Sequence, residues 1–175
     1  MDDVDIQPAS EEDLAIIARQ LERTPRGVVG VAWRCPCGKP GVIVTEPRLP
    51  DGTPFPTTYY LTCPAAVTEI SRLEATGIMA EMTARLAEDE QLASEYAAAH
   101  ESYLADRKEL GEVPEIEGVS AGGMPNRVKC LHALLGHALA AGPGLNPIGD
   151  QAREAIGEFW LTPCMEPAEE SENPA

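Results

Sequence analysis

Residues 34–64 read RCPCGKPGVIVTEPRLPDGTPFPTTYYLTCP, and the rest of the chain is organised around them. The stretch holds three of the five cysteines and both Cys-Pro steps. Three short runs rich in β-branched or aromatic residues cross it or flank it: GVVGVAWR (27–34), GVIVTE (41–46) and TTYYLT (57–62). Each is bounded by Pro or Gly, as strands tend to be. CPCGKPG forms the first connection. PRLPDGTPFP forms the second, with Asp51-Gly52 as a turn signal and prolines that stiffen the rest. Sequential strands pair antiparallel when the connections are this short, so the chain runs up, down and up. Cys35 and Cys63 then end strands at the same edge of the sheet, with Cys37 in the turn beside them.

Composition bounds the function. At 175 residues the chain is large enough for one domain with a real core. A formal charge of −16 excludes nucleic-acid phosphate and anionic lipid as natural partners, since both need Lys and Arg. No apolar run is long enough to span a bilayer and no secretory leader is legible, which predicts a cytoplasmic protein without membrane insertion. An odd number of cysteines in a reducing compartment argues against a disulfide framework.

Residues 1–9 are acidic and predicted to be a flexible N-terminus. A single α+β domain is expected over 10–164, and an acidic disordered tail over 165–175. Ser10 followed by Asp13 reads as a capping box opening a helix to about residue 22. Further helices are expected over 65–76, 78–87, 89–110, 125–141 and 150–160. The architecture is therefore a small three-stranded antiparallel meander packed with about six helices. His100 lies in a polar surround and is expected to be exposed. The Gly- and Pro-rich stretch 111–124 is a long loop of the kind that often carries function. It has no phosphate-loop signature, so nucleotide binding has no support.

The residues fit for chemistry are Cys35, Cys37, Cys63, Cys130 and Cys164, with His132 and His137. Thiolates suit zinc or an iron–sulfur cluster. Cys-Pro-x-Gly resembles half of a zinc knuckle, although one residue rather than two separates Cys35 from Cys37. On a regular helix Cys130 and His137 would be two turns, about 10 Å, apart, and His132 would point away from Cys130. The histidines therefore read as hydrogen-bonding or acid–base groups beside a site rather than as ligands. A rival chemistry is a Cys–His nucleophile, with Cys63 or with Cys130 at a helix start, where a thiol pKa falls. No cysteine-hydrolase signature accompanies it.

Taken together, RCPCGKPGVIV, PRLPDGTPFPTTYYLTCP, RLEATGIM, GGMPNRVKCLHALLGH and NPIGD resemble a bacterial, mainly actinobacterial, family known as a domain of unknown function, DUF 501. The resemblance covers roughly 27–160. It implies a site at the positions of Cys35, Cys63, Cys130, His132 and His137, and no reaction. The family's genes often lie beside a septum-formation initiator, which implies a division-related role. The leading expectation is thus a metal or iron–sulfur site of Cys35, Cys63, Cys130 and Cys164, with His132, His137 and Cys37 beside it. The cofactor would be an iron–sulfur cluster or zinc. The alternative is a cofactor-free adaptor that uses its acidic surface or helices to bind a protein partner.

Overall fold

The computed structural model describes residues 4–161 and 164. It has a three-stranded antiparallel sheet in the order β1-β2-β3 and, among the described residues, six α-helices. The strands are β1 (Val28–Arg34), β2 (Pro40–Thr45) and β3 (Tyr59–Leu61). The helices are α1 (Glu11–Leu21), α2 (Pro64–Ala75), α3 (Ile78–Glu88), α4 (Glu90–Leu110), α5 (Leu131–Ala141) and α6 (Pro147–Ile156). The α+β meander expected from residues 34–64 is the observed sheet.

Every residue of β2 is buried, because it is the central strand with a partner on each edge and cover on each face. Its alternation divides the core. Val42 and Val44, paired with Leu61 and Tyr59, face the main hydrophobic cluster. Ile43, paired with Val31, packs outside that cluster and is likewise buried. Residues 4–9, read as part of a loose terminus, are partly tied down. Gln7 exchanges two backbone hydrogen bonds with Val31, of 2.9 and 2.8 Å, and Val4 joins the main cluster. The acidic tail expected over 165–175 lies outside the described residues.

Local chemistry sets the helix starts. Ser10 and Asp13 close the expected capping box on α1. Asp89 caps α4 through the Leu92 amide, and Asn146 caps α6 through the Gly149 amide ahead of Pro147. Helix α5 has eight buried positions in eleven and no polar face, as suits a helix at the centre of the fold. It lies against β3 so closely that a Cβ on Gly136 would stand 2.8 Å from the Tyr59 carbonyl oxygen. Helix α6 crosses α5 at Gly149, where a Cβ would collide with the Leu134 carbonyl oxygen. Backbone carbonyls cannot step aside as a side-chain end can. Gly149→Ala is therefore expected to cost about 1–3 kcal/mol by overpacking. That lowers Tm by several degrees in a chain of this size, and an unchanged melting curve would contradict the close crossing.

Three expectations are corrected. The helix expected from residue 125 begins at Leu131, because 122–130 folds back on itself. The Gly122 carbonyl accepts from both the Lys129 and Cys130 amides, and the Val128 amide donates to Thr83 on α3. His100 is buried, not exposed, with Nδ1 2.8 Å from the Ser120 hydroxyl. It is covered because the long loop lies over α4. Arg107 donates there to the carbonyls of Ile116, at 2.7 Å, and of Val119. The helix expected from residue 150 starts at Pro147, since the Asn146 cap precedes it.

Candidate metal centre

The turn between β1 and β2 is a tight one. The Cys35 amide donates to the Lys39 carbonyl at 3.0 Å, and the Gly38 amide returns to the Cys35 carbonyl at 2.7 Å. Gly38 holds φ at 83°, a left-handed conformation that glycine adopts without strain. Arg34, just before Cys35, fixes the turn to α1. Its guanidinium grips Asp13 through both carboxylate oxygens, at 2.8 and 2.9 Å. That bidentate pair, followed by the Ser10 amide, holds the Asp13 carboxyl well below its usual range against the opposing effect of burial.

Two other segments converge on this turn. Cys63 is the N-cap residue of α2, and its amide donates to the Gly41 carbonyl at 3.2 Å, two residues from Lys39. Cys164 is brought in by the C-terminal segment. A single tight helical turn, Phe159–Leu161, lays Phe159 against Trp33 of β1 with ring centroids 6.1 Å apart. The sulfurs of Cys35, Cys37 and Cys164 lie within 4.8 Å of one another. Cys35 and Cys164 are buried, and Cys37 is exposed at the mouth.

The three thiols share protons unequally. Burial pushes the Cys35 thiol up to about 11, and the nearby Cys63 sulfur adds to the rise. Cys164 is also raised, first by burial and then by hydrogen bonds to Cys37 and Cys35. Cys37 goes the other way: burial opposes its ionisation, but donation from the Cys164 thiol and the Lys39 amide outweighs it. Cys37 thus carries the first negative charge, and its neighbours are the thiols that a cation would deprotonate.

This donor set fits a single tetrahedral ion. Zinc–sulfur bonds of about 2.3 Å place tetrahedral thiolates about 3.8 Å apart, within the spread of the Cys35, Cys37 and Cys164 sulfurs. Cys63, entirely buried at the start of α2, is the remaining thiol of this end of the sheet, and it is not one of the three sulfurs that group within 4.8 Å of one another.

Cys130, expected to complete the site, stands elsewhere. It groups with Glu74 and His132, whose ligand atoms all lie within 4.8 Å. Glu74 is near the end of α2 and Cys63 at its start, so the two places are about 16 Å apart along the helix. The reading that set His132 against Cys130 is also corrected. It assumed a regular helix, whereas Cys130 is the N-cap residue of α5, with φ −152° and ψ 108°. The extended residue swings its side chain out of the helical register and onto His132.

His137 joins neither group. It is fully buried at the centre of the fold, stacked on Tyr59 at 5.4 Å and edge-on to Tyr103 at 5.0 Å. Its Nδ1 lies 3.2 Å from the Asn146 amide nitrogen, and its Nε2 has no hydrogen-bond partner among the described residues. Burial lowers its pKa to about 4, so the ring is neutral at pH 7. Tyr59 in turn donates to Asp106 at 2.7 Å.

Sequence reasoning set Cys37 aside as a neighbour of the site, although its Cys-x-Cys spacing in a Gly-containing turn was the signal for it. It missed Glu74, for which no spacing exists to read, since 57 residues separate it from Leu131, whose amide it accepts.

No curated protein and no solved structure matches this chain. A family model described as a protein of unknown function (DUF501) matches residues 31–154. The match takes in the β1–β2 turn, Cys63 and the Cys130 group, but not Cys164. No helix among the described residues is long and apolar enough to cross a membrane. With well over half of its length matched, the chain belongs to the DUF501 family.

Proposed function

We propose that this chain binds one zinc ion through Cys35, Cys37, Cys63 and Cys164. The observation that carries this reading is the grouping of Cys35, Cys37 and Cys164 sulfurs within 4.8 Å from two segments of chain remote in sequence. Four thiolates leave no open position for substrate, so the ion is a structural staple that joins the sheet turn, the start of α2 and the C-terminal segment. All five cysteines are unpaired, which suits a reducing compartment such as the cytoplasm.

An iron–sulfur cluster is the second reading of the same thiols. Its cysteines bind different iron atoms and therefore spread further apart than ligands of one ion. The close spacing here favours zinc. Cobalt(II) added to the metal-free chain tests the single-ion site. One equivalent should produce the intense visible bands of a tetrahedral thiolate complex, and zinc should bleach them. The weak spectrum of octahedral cobalt at every ratio would count against the site.

A further inference from the structure

The Cys130 group has a different design from the metal centre. The His132 ring is held from both sides: Nδ1 is 3.2 Å from the Glu74 carboxylate and Nε2 is 3.2 Å from the Ser71 hydroxyl. Glu74 is itself anchored by the Leu131 amide at 2.6 Å, at the first turn of α5. Cys130 is half-buried and His132 and Glu74 are 29% and 22% exposed, so a small reagent reaches the sulfur. The ligand atoms of Cys130, His132 and Glu74 all lie within 4.8 Å of one another, which sets a thiol beside an imidazole held by a carboxylate, the components of an activated thiol nucleophile. The electrostatics agree. Donation from His132 lowers the Cys130 pKa against burial and against the Glu74 charge, and the His132 pKa is raised by Cys130 first and then by Glu74.

The local backbone narrows the electrophile. Acyl transfer needs amides pointed at a developing oxyanion. Here the Cys130 amide is spent on the Gly122 carbonyl, the Leu131 amide on Glu74, and the Ala133 amide on the Cys130 sulfur itself. Attack on a disulfide creates no oxyanion and needs only a thiolate and a proton for the leaving sulfur. The cysteines of the metal centre lie at the far end of α2, so Cys130 has no resolving partner within the chain.

We infer that Cys130 is a thiol–disulfide exchange site for small external disulfides, with His132 as its proton carrier and Glu74 and Ser71 as positioning residues. The Cys130 thiol gives its proton to His132. The thiolate then attacks one sulfur of the disulfide. A Cys130–sulfur bond forms as the disulfide bond breaks, and the departing thiolate takes the proton back from His132. The external disulfide is reduced to one thiol, and Cys130 is oxidised to a mixed disulfide that a second thiol reverses.

The test uses the full zinc-loaded chain and a neutral dipyridyl disulfide, because the chain's negative charge repels anionic reagents. The modified cysteine is identified by peptide mass. Cys130 is expected to react first at pH 7, at least about tenfold faster than in the denaturant-unfolded chain. His132→Gln should bring that rate to within about twofold of the unfolded value with an unchanged circular dichroism spectrum. A Cys130 rate at or below the unfolded one overturns the inference, as does a His132→Gln variant that reacts as fast as the parent. Acylation of Cys130 by a neutral thioester in preference to disulfide exchange would overturn the assigned class.

Discussion

Cys35→Ser and Cys164→Ser should each weaken zinc binding about a hundredfold, while Cys130→Ser leaves it unchanged. The magnitude follows from sharing among four ligands the roughly 10–16 kcal/mol that a structural zinc site holds. One ligand then accounts for on the order of 3 kcal/mol, or two decades in affinity. The contrast with Cys130 follows from geometry, since its sulfur groups with Glu74 and His132 at the other end of α2. Cys63→Ser offers a sharper test, because two effects take opposite signs. Cys63 is the N-cap residue of α2 and makes no side-chain capping bond. Serine is a better cap, and should stabilise the metal-free protein by up to about 1 kcal/mol. The same change removes a thiolate and should lower zinc affinity. A Cys63→Ser variant with unaltered affinity would show that Cys63 is a core residue and that the site has three thiolates. Competition titration against a chromophoric chelator measures all four variants on one scale.

The second large effect is acid destabilisation through His137. Its folded pKa of about 4 lies below the ordinary 6.5, because protonation would place a charge between Tyr59 and Tyr103. The unfolded chain takes up this proton as pH falls through 6.5, and the folded chain resists until about 4. Within that window the unfolded state holds more protons, so stability falls as pH falls. At 1.36 kcal/mol per unit the loss is about 3 kcal/mol between pH 7 and pH 4. His132 acts in the opposite sense. Its raised pKa contributes stability that is present at low pH and lost as pH rises through the folded value. The depressed Asp13 contributes stability that is present above the ordinary carboxylate range and lost as pH falls below it, a separate and lower window. The His137 share is isolated by denaturant titrations of parent and His137→Gln from pH 7 to pH 4. The variant should start less stable, having lost the stacking on Tyr59, and should decline less steeply. Equal slopes would contradict the buried neutral ring.

How much of this could be read in advance depended on the range of each interaction. The meander was legible because Pro and Gly punctuate it and residues 42–45 of β2 are an unbroken β-branched run. The start of α1 was legible because Ser10 and Asp13 satisfy one another within four residues. The nearness of Cys35 and Cys37 followed from the turn that holds both, whereas Cys63, expected at the same edge from strand direction, is not among the three sulfurs that group. The approach of Cys164 had no such rule, since it rests on Phe159 finding Trp33 across most of the chain. The Cys130 group was misread for a definite reason. Helical spacing was applied to a residue that caps the helix, and the Gly122 carbonyl that delays α5 gives no sign in a local window. His100 was misread similarly: its cover is a loop drawn down by Arg107.

The central claim is that four thiolates at one end of the sheet hold a single ion. Elemental analysis of the full chain, purified without oxygen or added metal, tests it most directly. One zinc per chain, with neither iron nor acid-labile sulfide, is the expected result. Iron and sulfide in equal amounts would replace the single ion with a cluster. A chain that carries no metal and takes up none when zinc is supplied would contradict the metal centre outright.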